Sequence, residues 1–240
     1  MMFFDTIFAN LGDWAPRMLT GLRTTLVLTG GGFALAFLLA LALEYLRSRR
    51  LAALRLSARV YIAFARGVPI LVVLYLMYFA LPGAGITLPA ELAATVGLAA
   101  VYGAYLCEVF RAGLDAVPAG QREAALASGL TPLQTFRLIL LPQAVRHTIA
   151  PLVINLVSML KDSSIAALIA VPELTLVSRE IMSESFLPLH VFALTALFYF
   201  LLAWPASLVA RAIEQRLLYP SARMSPSKSL DQLKTAQAVS

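Results

Sequence analysis

Long uncharged runs, separated by short blocks of charge, set the layout of this chain. Thr24 to Leu43 contains no charged side chain. A helix rises 1.5 Å per residue, so about 20 apolar residues cross the roughly 30 Å hydrocarbon core of a bilayer. This run therefore predicts a first membrane-crossing helix over about 24–46. Four further stretches fit the same rule: about 60–81, with Arg66 near its start; 92–110, with Glu108 near its end; 146–171, divided by Lys161 and Asp162; and 189–212. The expectation is an all-α integral membrane protein with five transmembrane helices, forming a single transmembrane domain over 1–220.

The charged blocks suggest sidedness. Arg47, Arg49, Arg50, Arg55 and Arg59 follow the first stretch; Arg111, Arg122, Arg137 and Arg146 follow the third. Arg211, Arg216, Arg223, Lys228 and Lys234 follow the fifth. Pro82 to Ala90 is uncharged, and Glu173 to Glu184 holds three acids and one arginine. Positive loops favour the cytoplasm. The expected orientation has the N-terminus outside and the C-terminus cytoplasmic, with a polar cytoplasmic tail over 221–240. No internal repeat is visible. MMFFDTIFAN lacks a basic segment before its first apolar residues and does not read as a cleaved signal peptide.

Composition agrees with the pattern. Apolar residues make up 60% of the chain and charged residues 13%. Soluble domains average about 45–50% and 25%. The formal net charge of +6 would suit nucleic acid, but the charges lie in blocks between apolar runs, which excludes that partner and implies a lipid bilayer. Cys107 stands alone in an apolar run, so an internal disulfide is impossible and a packed thiol is expected.

The longest cytoplasmic connection, 111–146, reads as two short helices. Pro118 suits a first helical position and Gly129 a left-handed stop. Thr131, Pro132 and Gln134 spell a second helix start with a capping box, and Pro142 ends that helix or kinks it into the fourth span. Short helices are marginal in water. Leu126, Leu130, Leu133, Phe136, Leu138 and Ile139 give this loop more apolar surface than a free loop should show. It either lies on the protein's own membrane face or docks in a groove on a soluble partner.

Glu123-Ala124-Ala125, Gly129, Ile139 and Leu141-Pro142 share the spacing of the EAA motif. The chain resembles the permease subunits of ATP-binding-cassette (ABC) importers. Arg66-Gly67-Val68-Pro69, Tyr105 to Gly113, Val117 to Gln121, Lys161 to Ser164 and Val171 to Leu174 are similar to the polar-amino-acid branch, and the likeness extends over about 17–215. The resemblance implies the type I ABC importer transmembrane fold. It implies import of an amino acid substrate across a bacterial plasma membrane, the inner membrane if the cell is Gram-negative. The implied partners are ABC ATPase subunits, a second permease chain that is a copy or a paralogue, and a periplasmic or extracellular amino-acid-binding protein. The seven motif residues would form the element that couples to the ATPase. Glu123 also fits a solvated first-turn acid favoured by the helix dipole.

No phosphate-binding loop, zinc-binding helix motif or nucleophile elbow is present. The chain is expected to be non-catalytic, without cofactor or metal, with ATP bound by the partner. His147 and His190 lie at expected membrane boundaries and read as structural or interfacial. Gly30-Gly31-Gly32 reads as close packing and Pro151 as a kink. Polar residues inside a membrane avoid lipid. Thr148, Asn155, Ser158 and Asp162 fall near one helical face, Lys161 beside them; Tyr102, Tyr105 and Glu108 recur at intervals of three. Tyr105, Glu108, Asn155, Ser158, Lys161 and Asp162 are the candidate substrate path. They either contact substrate or hold helices together, and Lys161 and Asp162 equally suit the end of the fourth span. An ion-driven carrier or channel is the alternative function. It explains the spans but not the capped cytoplasmic loop.

Overall fold

A computed structural model describes residues 2–218, so the tail 221–240 lies outside the described residues. Every regular element among them is helical. In order these are α1 (Met2–Ser48), α2 (Ala52–Gly67), α3 (Ile70–Tyr75), α4 (Ala90–Asp115), α5 (Ala119–Ala127), the turn α6 (Pro132–Gln134), α7 (Leu141–Asp162), α8 (Leu174–Ser185) and α9 (Pro188–Leu218).

Four helical stretches are long and apolar enough to cross a membrane: Phe3–Ser48, Ala90–Asp115, Pro132–Ile169 and Pro188–Gln215. Among the described residues, a fifth crossing can come only from the pair Ala52–Gly67 and Ile70–Ala84, which bends by 106°. The run 60–81, expected as one helix, is thus broken. Pro69 pushes Val68 into an extended conformation, φ −95 and ψ 132, because the ring crowds the helical alternative.

The first helix also differs from its expected span, since it begins at Met2 rather than near Thr24. Ile7, Leu11, Trp14, Met18 and Leu22 form a helical stripe, and Trp14 and Met18 bury against Leu174, Val177 and Val191 of α8 and α9. That packing extends the helix beyond what hydropathy alone requires. Gly21 lets α1 approach the start of α8: a Cβ there would meet Leu174 Cα at 3.0 Å. The Leu174 N–H donates to Thr25 Oγ1 at 3.2 Å.

The Gly30-Gly31-Gly32 reading holds only in part. Gly30 has nothing within 4 Å of where a Cβ would be, whereas Gly31 lies against Thr95 of α4, and Gly32 against Leu98 of α4 and Met159 of α7, at ordinary contact distance. Tight packing falls instead at Gly97 against Leu74, Gly103 against Leu39 and Gly113 against Thr148 and Ala144. The main core joins α1, α2, α4 and Met159 around Ala40, Ile62, Leu98 and Leu106. Cys107 is buried there, as its apolar run suggested, and its thiol donates to Glu44 at 3.6 Å.

Before α8, Glu173 is fully buried and caps the helix. Its Oε1 accepts from the Leu176 N–H at 2.8 Å, and its Oε2 from the Tyr199 hydroxyl at 2.9 Å. Burial raises its pKa above the ordinary carboxylate value, against the opposing pull of backbone and hydroxyl donors.

Candidate functional site

The segment 116–142 folds as the residues dictate locally. Pro118 precedes α5 as its cap residue, since proline's fixed φ and missing N–H suit a helix start. At the other end Gly129 takes φ +85. The Gly129 N–H donates to the Leu126 carbonyl at 3.0 Å and the Leu130 N–H to the Ala125 carbonyl at 3.2 Å. Those two bonds make a Schellman stop. The capping box is complete: Gln134 N–H donates to Thr131 Oγ1, and Thr131 N–H to Gln134 Oε1 at 2.9 Å.

The second helix is not separate. The chain stays helical from Pro132 to Ile169, through a π-helical stretch at Thr135–Leu140. Pro142 neither ends nor breaks it. Proline has no N–H for the Leu138 carbonyl, and the π-helical register before Pro142 provides a pattern in which that donor is not needed.

Glu123 and Ala124 are exposed, while Ala125 is buried toward the rest of the chain. Ile139 is half-buried; Leu141 and Pro142 are exposed. Leu133 is 74% exposed and Leu138 59%, with Leu126 and Phe136 also open. The element therefore presents apolar side chains that nothing among the described residues covers.

Helices α4 and α7 form a wall. Gly113 admits Thr148 and Ala144 near one end, and the Tyr102 hydroxyl donates to Asp162 at 2.7 Å near the other. On one side of this wall lies a cavity of about 420 Å³. It is lined by Arg66, Tyr105, Glu108, His147, Pro151 and Asn155, among others. The Glu108 carboxylate is held by Arg47 at 2.6 Å. The Arg66 guanidinium stands 5.4 Å from the centre of the Tyr105 ring and makes no ion pair among the described residues. Pro151 leaves the His147 carbonyl without its helical donor, and Asn155 donates to the Pro151 carbonyl at 2.9 Å. The cavity thus offers one unpaired cation, an aromatic face and carbonyl acceptors.

Of the six candidate path residues, Tyr105, Glu108 and Asn155 come together here. Ser158, Lys161 and Asp162 do not line this cavity; Lys161 is exposed, and Asp162 joins α7 to α4 through Tyr102. Thr148 turns toward Gly113. Sequence reasoning missed Arg66 and His147. Their polarity beside an apolar run was the available signal. His190 stacks on Phe3 at 4.4 Å between ring centres, a structural position. No cluster among the described residues could hold a metal.

Residues 32–219 match the family described as binding-protein-dependent transport system inner membrane component. This chain belongs to that family. It is therefore a membrane permease subunit, and the family works with ATPase and binding-protein partners. A probable amino-acid ABC transporter permease protein, YckA of Bacillus subtilis (strain 168), is 36% identical over 201 residues, covering 84% of this chain and 89% of that protein. The probable glutamine ABC transporter permease protein GlnP of the same organism is 36% identical over 217 residues, covering 88% and 99%. A crystal structure of an amino acid ABC transporter with histidines superposes with a TM-score of 0.83 at 31% identity, covering 88% of this chain and 98% of that one. The type I importer permease fold is thereby established for this member of the family.

Proposed function

We propose that this permease imports polar amino acids and takes its energy from a separate ATPase docked on the segment around Glu123. The observation that carries the reading is the capped element 116–142, closed by Gly129 and presenting Leu133 and Leu138 uncovered. Exposed apolar side chains on a rigid protrusion suit a groove on a partner. Glu123, Ala124, Ala125, Gly129, Ile139, Leu141 and Pro142 are the residues of that contact. In this reading the element and the C-terminus are cytoplasmic and the N-terminus lies outside, which the positively charged loops favour.

The amino acid crosses beside α4 and α7, in the cavity holding Arg66. With Glu108 neutralised by Arg47, Arg66 is the charge left to meet a substrate carboxylate. Tyr105 and the His147 carbonyl face an ammonium or polar side chain. ATP-driven closure of the ATPases moves the docked element, and the packed α4–α7 wall transmits that movement as a rigid body. The relatives named for amino acids and glutamine support the substrate class.

The test is reconstitution of the permease with its ATPase and binding protein in liposomes. ATP-driven uptake of a polar amino acid is expected. Glu123→Ala abolishes it while membrane insertion is unchanged; Arg66→Met raises KM about tenfold or more, as expected for a lost charge-assisted hydrogen bond. Uptake by the chain alone under an ion gradient, or normal ATP-driven uptake by Glu123→Ala, would refute the coupling role.

A further inference from the structure

The wall of α4 and α7 has a second side. Away from the polar cavity lies an apolar cleft of about 460 Å³. Phe37, Leu41, Phe110, Val145 and Leu152 line its length. Phe136 and Leu141, at the root of the coupling element, also line it. Its ionisable residues are Glu44 and Tyr45, and Ser48 stands beside them.

We propose that this cleft holds one glycerophospholipid whose headgroup carries a primary ammonium. Three observations point to that occupant. First, the polar cavity and the cleft use different faces of α4: Tyr105, Glu108 and Ala112 line one, Phe110 and Leu114 the other. If substrate passes on the polar side, the apolar side is left to the bilayer. Second, the cleft has the depth of one leaflet. Phe37 and Ser48 are eleven residues apart on α1, about 16 Å of helix, roughly half of a 30 Å hydrocarbon core.

Third, the charges at one end match a zwitterionic headgroup. Glu44 is half-buried, accepts only a long 3.6 Å bond from the Cys107 thiol, and makes no ion pair among the described residues, since the neighbouring Arg47 pairs with Glu108. A carboxylate at the mouth of an apolar cleft is costly unless a cation meets it. One turn on, the Arg49 guanidinium lies over the Tyr45 ring at 3.9 Å. Arg49 is exposed and free to take the lipid phosphate while the ammonium donates to Glu44. The acyl chain then fills the cleft beside Phe136, which ties lipid occupancy to the coupling element.

The experiment is native mass spectrometry of the full chain in detergent, incubated with equal amounts of phosphatidylethanolamine, phosphatidylcholine and phosphatidylglycerol of the same acyl chains. Phosphatidylethanolamine is expected to be retained about tenfold over the other two, one charge-assisted hydrogen bond of discrimination. Choline's methylated nitrogen cannot donate to Glu44, and glycerol carries no cation. Glu44→Gln is expected to erase the preference. Val145→Trp, placed at a position 43% exposed at the cleft, is expected to lower retention of all three without disturbing the fold. Equal retention of the three lipids by the unaltered chain, or an unchanged preference in Glu44→Gln, would overturn the proposal. So would a photoreactive side chain at position 145 that captures a second copy of this chain instead of lipid.

Discussion

Replacing Gly129 tests the coupling element with backbone physics alone. Gly129 sits at φ +85, and nothing lies within 4 Å of where a Cβ would be. A substitution there meets no neighbour, so its whole cost is conformational. A residue with a Cβ pays about 1–2 kcal/mol in the left-handed region, asparagine less and a β-branched residue more. The Schellman stop it supports consists of the Gly129 and Leu130 amide bonds to Leu126 and Ala125. A change of 1–2 kcal/mol shifts the open–closed ratio about five- to thirtyfold. Hydrogen exchange of the Leu130 amide in the reconstituted permease reads this ratio directly. The expected order of exchange is Gly129, then Gly129→Asn, then Gly129→Ala, then Gly129→Val. ATP-driven uptake should fall in the same order while membrane insertion stays constant. A valine variant with unaltered exchange would refute the strain argument; one with faster exchange and normal uptake would refute the coupling role.

Gly113→Ala should cost about 1–3 kcal/mol, the usual penalty of overpacking, because its Cβ would collide with the Thr148 methyl. A lower Tm in detergent is expected, and Thr148→Ser in the same chain should restore part of it by removing that methyl, the Ala144 carbonyl 3.1 Å from the added Cβ keeping the rest; no rescue at all would mean that the methyl clash is not the cause. Glu173 has a native pKa raised by burial, so the folded chain holds its proton to higher pH than the unfolded chain does. Stability is therefore expected to fall as pH rises from the ordinary carboxylate range through the raised value. Glu173→Gln should flatten that part of the Tm–pH profile; an unchanged slope would assign the dependence to another group.

Much of this architecture was legible along the chain. Mostly apolar runs of bilayer length marked α4, α7 and α9 because the cost of burying charge in lipid leaves few alternatives. Pro118, Gly129 and the Thr131–Gln134 box marked the coupling element because caps and left-handed stops are local chemistry, decided within four or five residues. The EAA spacing identified the family on the same stretch that the match over 32–219 includes.

Other features depended on contacts between distant residues. The extension of α1 back to Met2 comes from Trp14 and Met18 finding α8 and α9. The tightest glycine contacts are at Gly21, Gly97, Gly103 and Gly113 rather than in the conspicuous triplet, since only the fold decides where a helix passes close. Glu108 and Asp162 could equally meet substrate or hold helices together by sequence, and the fold pairs them with Arg47 of α1 and Tyr102 of α4. Arg66 and His147 became cavity residues because the break at Pro69 and the α4–α7 wall brought three segments to one place. Hydropathy and caps are properties of neighbours in sequence, so the chain alone determined most of the membrane-length segments and the caps that open and close α5 and open the helix at Pro132. Which polar groups pair, and which face a cavity, depend on side chains dozens of residues apart, and only the tertiary structure decided them.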